Sequence, residues 1–288
     1  MKIIMGDNPF FGVNHRAGSK PLDDEATRFE AAAAVLKSAS RCGVHSLMLS
    51  THPGYDRLLR TVSLALAGSD QPLDLALVVP YPHSLNKVVA EQGYAGLARM
   101  LGVTSAVKSV FEVLSALRAG RQASLVTAFK SLIGLELPLC AHAGIRVSHV
   151  CLHNVPTDIL LAVNRIDILR GFQRACERQG VSPVFITQNP IALLTSGLSG
   201  PYVACFTFNP IGYMVNPGFE RVTQFLLDFD DATVELWAMQ VLASGVTGPE
   251  SLVNCAAFRK FDGILYATTN PARVPDFVST IESRPERA

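Results

Sequence analysis

A chain of 288 residues can form one large domain or two ordinary ones, and no Pro-, Gly- or Ser-rich linker divides this sequence. Apolar residues make up 49% of it and charged residues only 17%, which excludes a disordered protein. The 25 basic and 24 acidic residues nearly cancel and form no long run. The sequence therefore predicts partners other than nucleic acid or an anionic membrane, since both need a concentrated positive patch.

Six cysteines are scattered along the chain without a CxxC pair. This pattern predicts reduced, buried thiols and a cytoplasmic location. The N-terminal stretch MKIIMGDNPF is too short in apolar residues for a signal peptide, and the most apolar later segment, 125–145, is interrupted by charged residues and proline. Neither segment is predicted to enter a membrane.

Eight short, β-rich apolar runs recur, and most are followed by a stretch of helical periodicity. The runs are KIIMG (2–6), HSLMLS (45–50), LDLALVVP (73–80), VSHVCLH (147–153), SPVFIT (182–187), YVACFTF (202–208), TVELWAMQVL (233–242) and DGILYAT (262–268). Two amphipathic stretches between them, 23–43 and 159–180, predict helices. The first opens on acids and closes on Gly43, and the second ends on Arg178 and Gly180.

Apolar strands that alternate with helices predict an α/β fold with a parallel sheet covered on both faces. Eight repeats predict a closed (β/α)8 TIM barrel formed by residues 1–288 as a single domain, with an open doubly wound sheet as the alternative. The longest gap lies between the third and fourth runs, where residues 88–145 have helical period. They predict a helical insertion that shields either the pocket mouth or the subunit interface of a homo-oligomer.

Active sites of such barrels lie at the carboxyl ends of the strands, and polar side chains follow nearly every run at that end. The candidate catalytic residues are Asp7, His52, Tyr55, His83 and His153. The candidate substrate-binding residues are Asn8, His15, Asn154, Gln188, Asn209 and Tyr213. Asparagine precedes proline at positions 8, 189, 209 and 270, so turn chemistry is the alternative role for these four.

The polar residues that follow the eight runs form a predicted ring at the mouth of the barrel, and their types limit the reactions that the site could catalyse. Asp7 is the only acid at a strand end, which disfavours a paired-carboxylate glycosidase. The sequence also has no GxSxG elbow, Walker-type loop or HExxH motif, and no strand ends in a lysine that could form a Schiff base. The ring suits a small polar substrate with hydroxyl or carbonyl groups, with histidine and tyrosine as proton carriers.

Four segments resemble, in order and spacing, motifs of the aldo-keto reductase family. They are MGDNPFFG (5–12), THPGYDRLLRTVSLAL (51–66), VCLHNVPTD (150–158) and ATTNPARVPDFVSTIE (267–282). The resemblance spans the chain with a few residues per strand. It implies that the first segment lines the nicotinamide side, that Tyr55 is the general acid, that His153 orients the substrate carbonyl and that Arg273 meets a phosphate of NADP.

The catalytic tetrad of that family is degenerate in this sequence. The position of its aspartate falls near Ser50 or Thr51. Its lysine at the end of the third strand has no counterpart, because this stretch offers Tyr81 and His83.

The eighth run leads into a candidate seat for the nucleotide. Thr268 and Thr269 supply hydroxyls, a helix start behind Asn270 is expected to supply free backbone amides, and Arg273 supplies a cation. Such an arrangement binds anions. The alternative is that Asn270 only caps the last helix and Arg273 is a solvated helix residue.

Four functions fit these observations. The favoured one is NAD(P)-linked oxidoreduction of a small carbonyl compound, sugar or polyol. The second is a cofactor-free lyase, epimerase or isomerase in which His52, His83 or His153 moves protons. The third takes these three histidines, with Asp7 alongside, as ligands of a zinc-like ion in a metal-dependent hydrolase. The fourth is a barrel that binds a ligand without catalysis.

Overall fold

The computed structural model describes residues 1–13, 24–52, 54–69, 71–79, 140 and 145–283. Eight parallel strands form a closed barrel in which each strand pairs with its neighbours in sequence and β8 pairs with β1. The strands are β1 Lys2–Gly6, β2 Ser46–Ser50, β3 Asp74–Val78, β4 Arg146–Leu152, β5 Ser182–Thr187, β6 Tyr202–Thr207, β7 Val234–Met239 and β8 Gly263–Tyr266. The prediction of a (β/α)8 barrel is confirmed, and the open sheet is excluded.

Helices cover the outside of the barrel. In the described ranges they are α1 Glu25–Arg41, α2 Tyr55–Ala65, α3 Asn154–Ala162, α4 Ile166–Arg178, α5 Pro190–Leu194, α6 Phe219–Asp228, α7 Pro249–Val253 and α8 Arg273–Glu282. Short 3-10 turns occur at Asn8–Phe11, Ala243–Gly245 and Ala256–Lys260. No helix in these ranges is long and apolar enough to cross a membrane.

The helix predicted at 23–43 forms as α1. The Asp24 side chain accepts a hydrogen bond from the Thr27 amide at 2.8 Å, which satisfies one of the open N–H groups of the first turn. Glu25 in the first turn and Arg41 in the last complement the helix dipole.

The single helix predicted at 159–180 is wrong, because the structure has two helices there. Asn164 lies between α3 and α4 with a φ of 53°, a left-handed conformation that asparagine tolerates better than most residues. Arg165 then donates two hydrogen bonds of 2.8 Å to Asp167 in the first turn of α4. This local pairing starts a new helix instead of continuing the first.

Several runs extend less far than predicted, including the third, the seventh and the eighth. β7 ends at Met239 because Gln240 turns out of the strand with a φ of 53°, and β8 ends at Tyr266. The predicted insertion at 88–145 lies outside the described residues except for Cys140 and Ile145, so its helical character stays a prediction.

The barrel interior is filled by a closed apolar cluster. Its members are Ile4, Met48, Ala76, Val78, Cys151, Val184, Ile186, Val203, Cys205 and Trp237. A second, larger cluster joins the outer face of the sheet to the helices. All six cysteines are free, as predicted. Four of them are buried, whereas Cys42 and Cys255 are half-buried, so the prediction of buried thiols is wrong for these two.

The amino end of the barrel carries a compact polar network. The Asp74 carboxylate lies 3.2 Å from the Lys2 ammonium and 3.3 Å from Arg146 Nε, and it accepts a 2.7 Å hydrogen bond from the Ser148 hydroxyl. A half-buried carboxylate is stabilised by nearby cations and by a hydroxyl that donates a hydrogen bond to it. This end of the barrel therefore neutralises its acid.

His149 and Trp237 lie above this network inside the barrel. Their ring centroids are 4.9 Å apart, and the Lys2 ammonium lies 5.6 Å from the Trp237 ring. Desolvation, with help from the Lys2 charge, lowers the pKa of His149 to about 4. His149 is therefore neutral at physiological pH.

Candidate active site

Asp7 is the acid predicted at the mouth, and it lies immediately after β1. Its side chain is only 4% exposed. One carboxylate oxygen accepts a 2.6 Å hydrogen bond from the Ser50 amide, and the other is 3.5 Å from the Ser50 hydroxyl. Burial raises the pKa of Asp7 to about 6 against the opposing effect of these hydrogen bonds. A carboxyl group delivered by β1 thus lies beside Ser50, one of the two positions where the resemblance places the family's aspartate.

His52 and Tyr55 follow β2 at the same end of the barrel. The His52 ring stacks on Phe11, with centroids 4.4 Å apart and an interplanar angle of 24°. Tyr55 is the first residue of α2 and is buried. It follows Gly54, whose φ of 86° lets the chain turn sharply from strand to helix.

His153 ends β4 and caps α3. Its Nδ1 accepts a hydrogen bond from the Val155 amide at 3.3 Å. In a neutral imidazole one ring nitrogen accepts and the other carries the hydrogen, so this bond assigns the hydrogen to Nε2. His153 can therefore donate a hydrogen bond from Nε2 while it caps the helix.

Asp158 is an acid at the mouth that the sequence analysis missed. It belongs to α3, yet its carboxylate reaches the end of β5, where it accepts hydrogen bonds from the Thr187 hydroxyl and from the Gln188 amide at 3.1 Å. Burial raises the pKa of Asp158. Asp7 is the acid that directly follows a strand, as predicted, but the folded chain adds the carboxylate of a helix residue at the same end. Strand ends give no signal for a side chain that returns from a helix.

The candidates after β5 and β6 have local structural roles. Asn189 caps α5 by accepting a 3.1 Å hydrogen bond from the Ala192 amide. Asn209 is fully buried, and its amide group bonds the backbone of Tyr213 in both directions at 2.8 Å and the Gln240 carbonyl at 3.4 Å. These bonds hold the loops after β6 and β7 together, so turn chemistry accounts for both asparagines.

The loop after β7 is conformationally strained. Gln240, Ala243 and Ser244 all have positive φ, at 53°, 46° and 58°. Such residues cost free energy and cluster at functional sites. No motif in the sequence indicates this loop.

The predicted nucleotide seat follows β8. The Thr268 hydroxyl accepts a hydrogen bond from the Asn270 amide at 3.1 Å, while Thr269, Asn270 and Arg273 are exposed. The open amides expected at the helix start are already bonded: Asn270 accepts from Ala272 through its side chain and from Arg273 through its carbonyl, and Val274 donates to Pro271. The prediction of open backbone amides is therefore wrong. The groups that remain for binding an anion are the threonine hydroxyls and the Arg273 guanidinium.

Several candidates keep the status of predictions. Asn8 and Asn154 lie at the mouth, after β1 and β4, and both are partly exposed. His15, Tyr81 and His83 lie outside the described residues. Within the described ranges no three histidine, cysteine or acidic side chains could hold a metal ion, and since His83 is not among them the metal site is untested.

Comparisons with known proteins show which solved structures share this fold. No family model matches the chain, and no curated protein does. Solved structures do match. One is a protein from Pseudomonas aeruginosa described as an aldo-keto reductase, with 14% identity, a TM-score of 0.54 and coverage of 97% of this chain and 88% of that one. Another is an aldo-keto reductase from Bacillus halodurans in its holo form, with 11% identity, a TM-score of 0.55 and coverage of 99% and 88%.

These similarities confirm the aldo-keto reductase-like barrel that the sequence motifs implied. They extend over almost the whole chain, so the shared feature is the complete fold. At such low identity they show the fold and leave the chemistry to the residues at the mouth.

Proposed function

We propose that the protein is an NAD(P)H-dependent oxidoreductase that reduces a small polar carbonyl compound, such as a sugar or a keto acid. The observation that carries the proposal is the hydrogen-bonding state of His153. Its Nδ1 accepts a hydrogen bond from the Val155 amide, so the ring hydrogen lies on Nε2, the nitrogen that can donate to and polarise a carbonyl oxygen. The barrel shared with aldo-keto reductases supports the same reaction class.

The residues after β8 fit a nucleotide phosphate through their side chains. Arg273 is exposed at the first turn of α8 and forms no ion pair within the described ranges, and Thr269 in the preceding loop is also exposed. Arg273 would hold the phosphate that distinguishes NADP from NAD, with Thr268, Thr269 and Asn270 around it. The bound nucleotide would supply the hydride.

Nucleotide binding tests this proposal directly. We expect Arg273→Ala to weaken NADPH binding by roughly 1.5 to 3 kcal/mol, the range for a charge-assisted hydrogen bond, and to affect NADH much less. Titration followed by the fluorescence of the reduced nicotinamide measures both. Arg178→Ala is the matched control, because Arg178 is an exposed arginine in the last turn of α4. If the wild-type protein binds neither nucleotide at millimolar concentration, the proposal fails.

A cofactor-free acid–base enzyme is the second candidate. The bonded amides of Ala272, Arg273 and Val274 favour it, because they remove the usual backbone contribution to a phosphate site. This enzyme would exchange carbon-bound hydrogen of a hydroxyketone such as dihydroxyacetone with deuterated water in the absence of nucleotide. His153→Ala should abolish that exchange.

A further inference from the structure

Asp7 is a buried acid whose charge nothing described neutralises. It is 4% exposed, and its oxygens contact one amide and one hydroxyl, both of Ser50. Within the described ranges it forms no ion pair. Among titratable groups its charge reaches Cys151 on β4, whose pKa lies well above the usual range because of burial. That thiol is neutral, so no charge among the described residues compensates the carboxylate.

An ionised carboxylate in such a place is costly. Removing a charge from water without a cation nearby is unfavourable, and the group responds by holding its proton to higher pH. The pKa of Asp7, raised to about 6 by burial, reflects this cost. Acids used in proton transfer have this property, because their proton is both retained and transferable near neutral pH.

Two other polar side chains that the structure describes at the mouth are held differently. Each oxygen of Asp158 accepts a hydrogen bond from the end of β5, whereas the hydroxyl contact of Asp7 is long, at 3.5 Å, and leaves that oxygen weakly bonded. His153 has Nδ1 committed to the cap of α3. Asp7 lies at the carboxyl end of β1, the end at which barrels of this kind carry out chemistry, with an orientation fixed by the Ser50 amide.

We infer that Asp7 is the acid that gives its proton to the substrate oxygen, and that the Ser50 amide positions it. The inference rests on the proposed carbonyl reduction and names its proton donor, in place of the tyrosine that the family resemblance implies. Ser50 is a positioning residue, because it acts only through Asp7.

The reaction balances with the groups named. The carbonyl carbon accepts a hydride from the reduced nicotinamide nucleotide, and the electron pair of the carbon–oxygen double bond moves to oxygen. That oxygen takes the proton from the Asp7 carboxyl group. The products are the alcohol, the oxidised nucleotide and the Asp7 carboxylate, which recovers its proton from water before the next turnover.

The first test compares pH profiles of two matched variants. Asp7→Asn keeps the shape and an acceptor for the Ser50 amide but has no acidic proton. Asp262→Asn is the control, because the Asp262 carboxylate also accepts a hydrogen bond from a neighbouring strand, at the Leu236 amide (3.0 Å), but at the amino end of the barrel. The probes are methylglyoxal and phenylglyoxal with NADPH.

We expect wild-type kcat/KM for reduction to fall about tenfold per pH unit above about pH 6, since the protonated form of Asp7 is the active one. Asp7→Asn should lower kcat roughly 100-fold or more and abolish this inflection. Asp262→Asn should keep the wild-type kcat and the wild-type inflection. Tyr55→Phe should keep the inflection. Full activity of Asp7→Asn, or an inflection that survives in it, overturns the inference.

The second test measures the proton itself. NMR titration of protein labelled at the aspartate carboxyl carbons should show one resonance with a midpoint near pH 6 that is missing in Asp7→Asn. A normal midpoint for Asp7 overturns the inference even if the enzyme binds NADPH. Absence of nucleotide binding defeats the proposed function instead, so the two failures are distinguishable.

Discussion

The two ends of the barrel surround a carboxylate in opposite ways. At the amino end, Asp74 is surrounded by Lys2, Arg146 and the Ser148 hydroxyl. At the carboxyl end, Asp7 contacts only Ser50 and meets no cation within the described ranges. Both carboxylates lie at the ends of barrel strands, but among the described residues only Asp74 has cations near it.

This difference separates polar groups that stabilise the fold from groups kept for chemistry. A paired carboxylate lowers the free energy of the folded state or leaves it unchanged, whereas an unpaired one raises it. A fold that retains the unpaired acid at the mouth gives up stability there, as catalytic sites commonly do. The comparison can be broken or sharpened by single substitutions.

The largest effect is expected from Asp7→Asn. A pKa raised from 3.8 to about 6 means that the contribution of Asp7 to stability is fully present below about pH 4 and is lost as the pH rises through 6. The variant should therefore be about 3 kcal/mol more stable than the wild type at pH 7 and equal to it near pH 3. Urea unfolding across this range measures the difference. If the two proteins differ in free energy of unfolding by the same amount at every pH, the charge of Asp7 is compensated after all.

His149→Phe should give the opposite slope at the amino end. The folded chain keeps His149 neutral down to about pH 4, while the unfolded chain protonates it below its ordinary pKa of 6.5. The stability that the neutral ring maintains is thus present above pH 6.5 and lost as the pH falls towards 4. Relative to the wild type, the variant should gain about 2 to 3 kcal/mol between pH 7 and pH 4. Parallel unfolding curves for the two proteins would contradict this.

Gly263→Ala tests the packing that holds the amino end together. A Cβ at this position would lie 2.6 Å from Trp237 Cδ1, which is too close for a rigid ring. We expect a loss of about 1 to 3 kcal/mol in the free energy of unfolding. Adding Trp237→Phe should recover part of the loss because the smaller ring leaves room, and strict additivity in this double-mutant cycle would disprove the clash.

Asn189→Ala should have the smallest effect. It tests a residue at the mouth whose role is structural. Loss of the cap on the Ala192 amide should cost about 1 kcal/mol of stability. The pH profile of reduction should keep its shape, because Asn189 carries no proton in the reaction. A shifted inflection in this variant would mean that the mouth responds as one unit and that Asp7 is not special.

Part of this site could be predicted from the sequence. Asp7, Tyr55 and His153 were placed at the mouth because each follows an apolar run, and the closed barrel confirms that these runs end at one rim. Asp158 could not be found in this way, since its carboxylate reaches β5 from a helix. The open amides behind Asn270 were also mispredicted, because a turn can bond its own backbone without any change in sequence pattern.

The sequence by itself determined the strands, their order and the end of the barrel at which polar groups gather, because periodicity of apolar residues is a local property. Only the tertiary structure decided which of those groups are satisfied. Ser50 is 43 positions from Asp7, and Asp74 is 72 positions from Lys2, so neither contact leaves a mark in any short window of sequence. Ionisation depends on such contacts and on burial, which is why the chemistry of this mouth emerges only when the barrel closes.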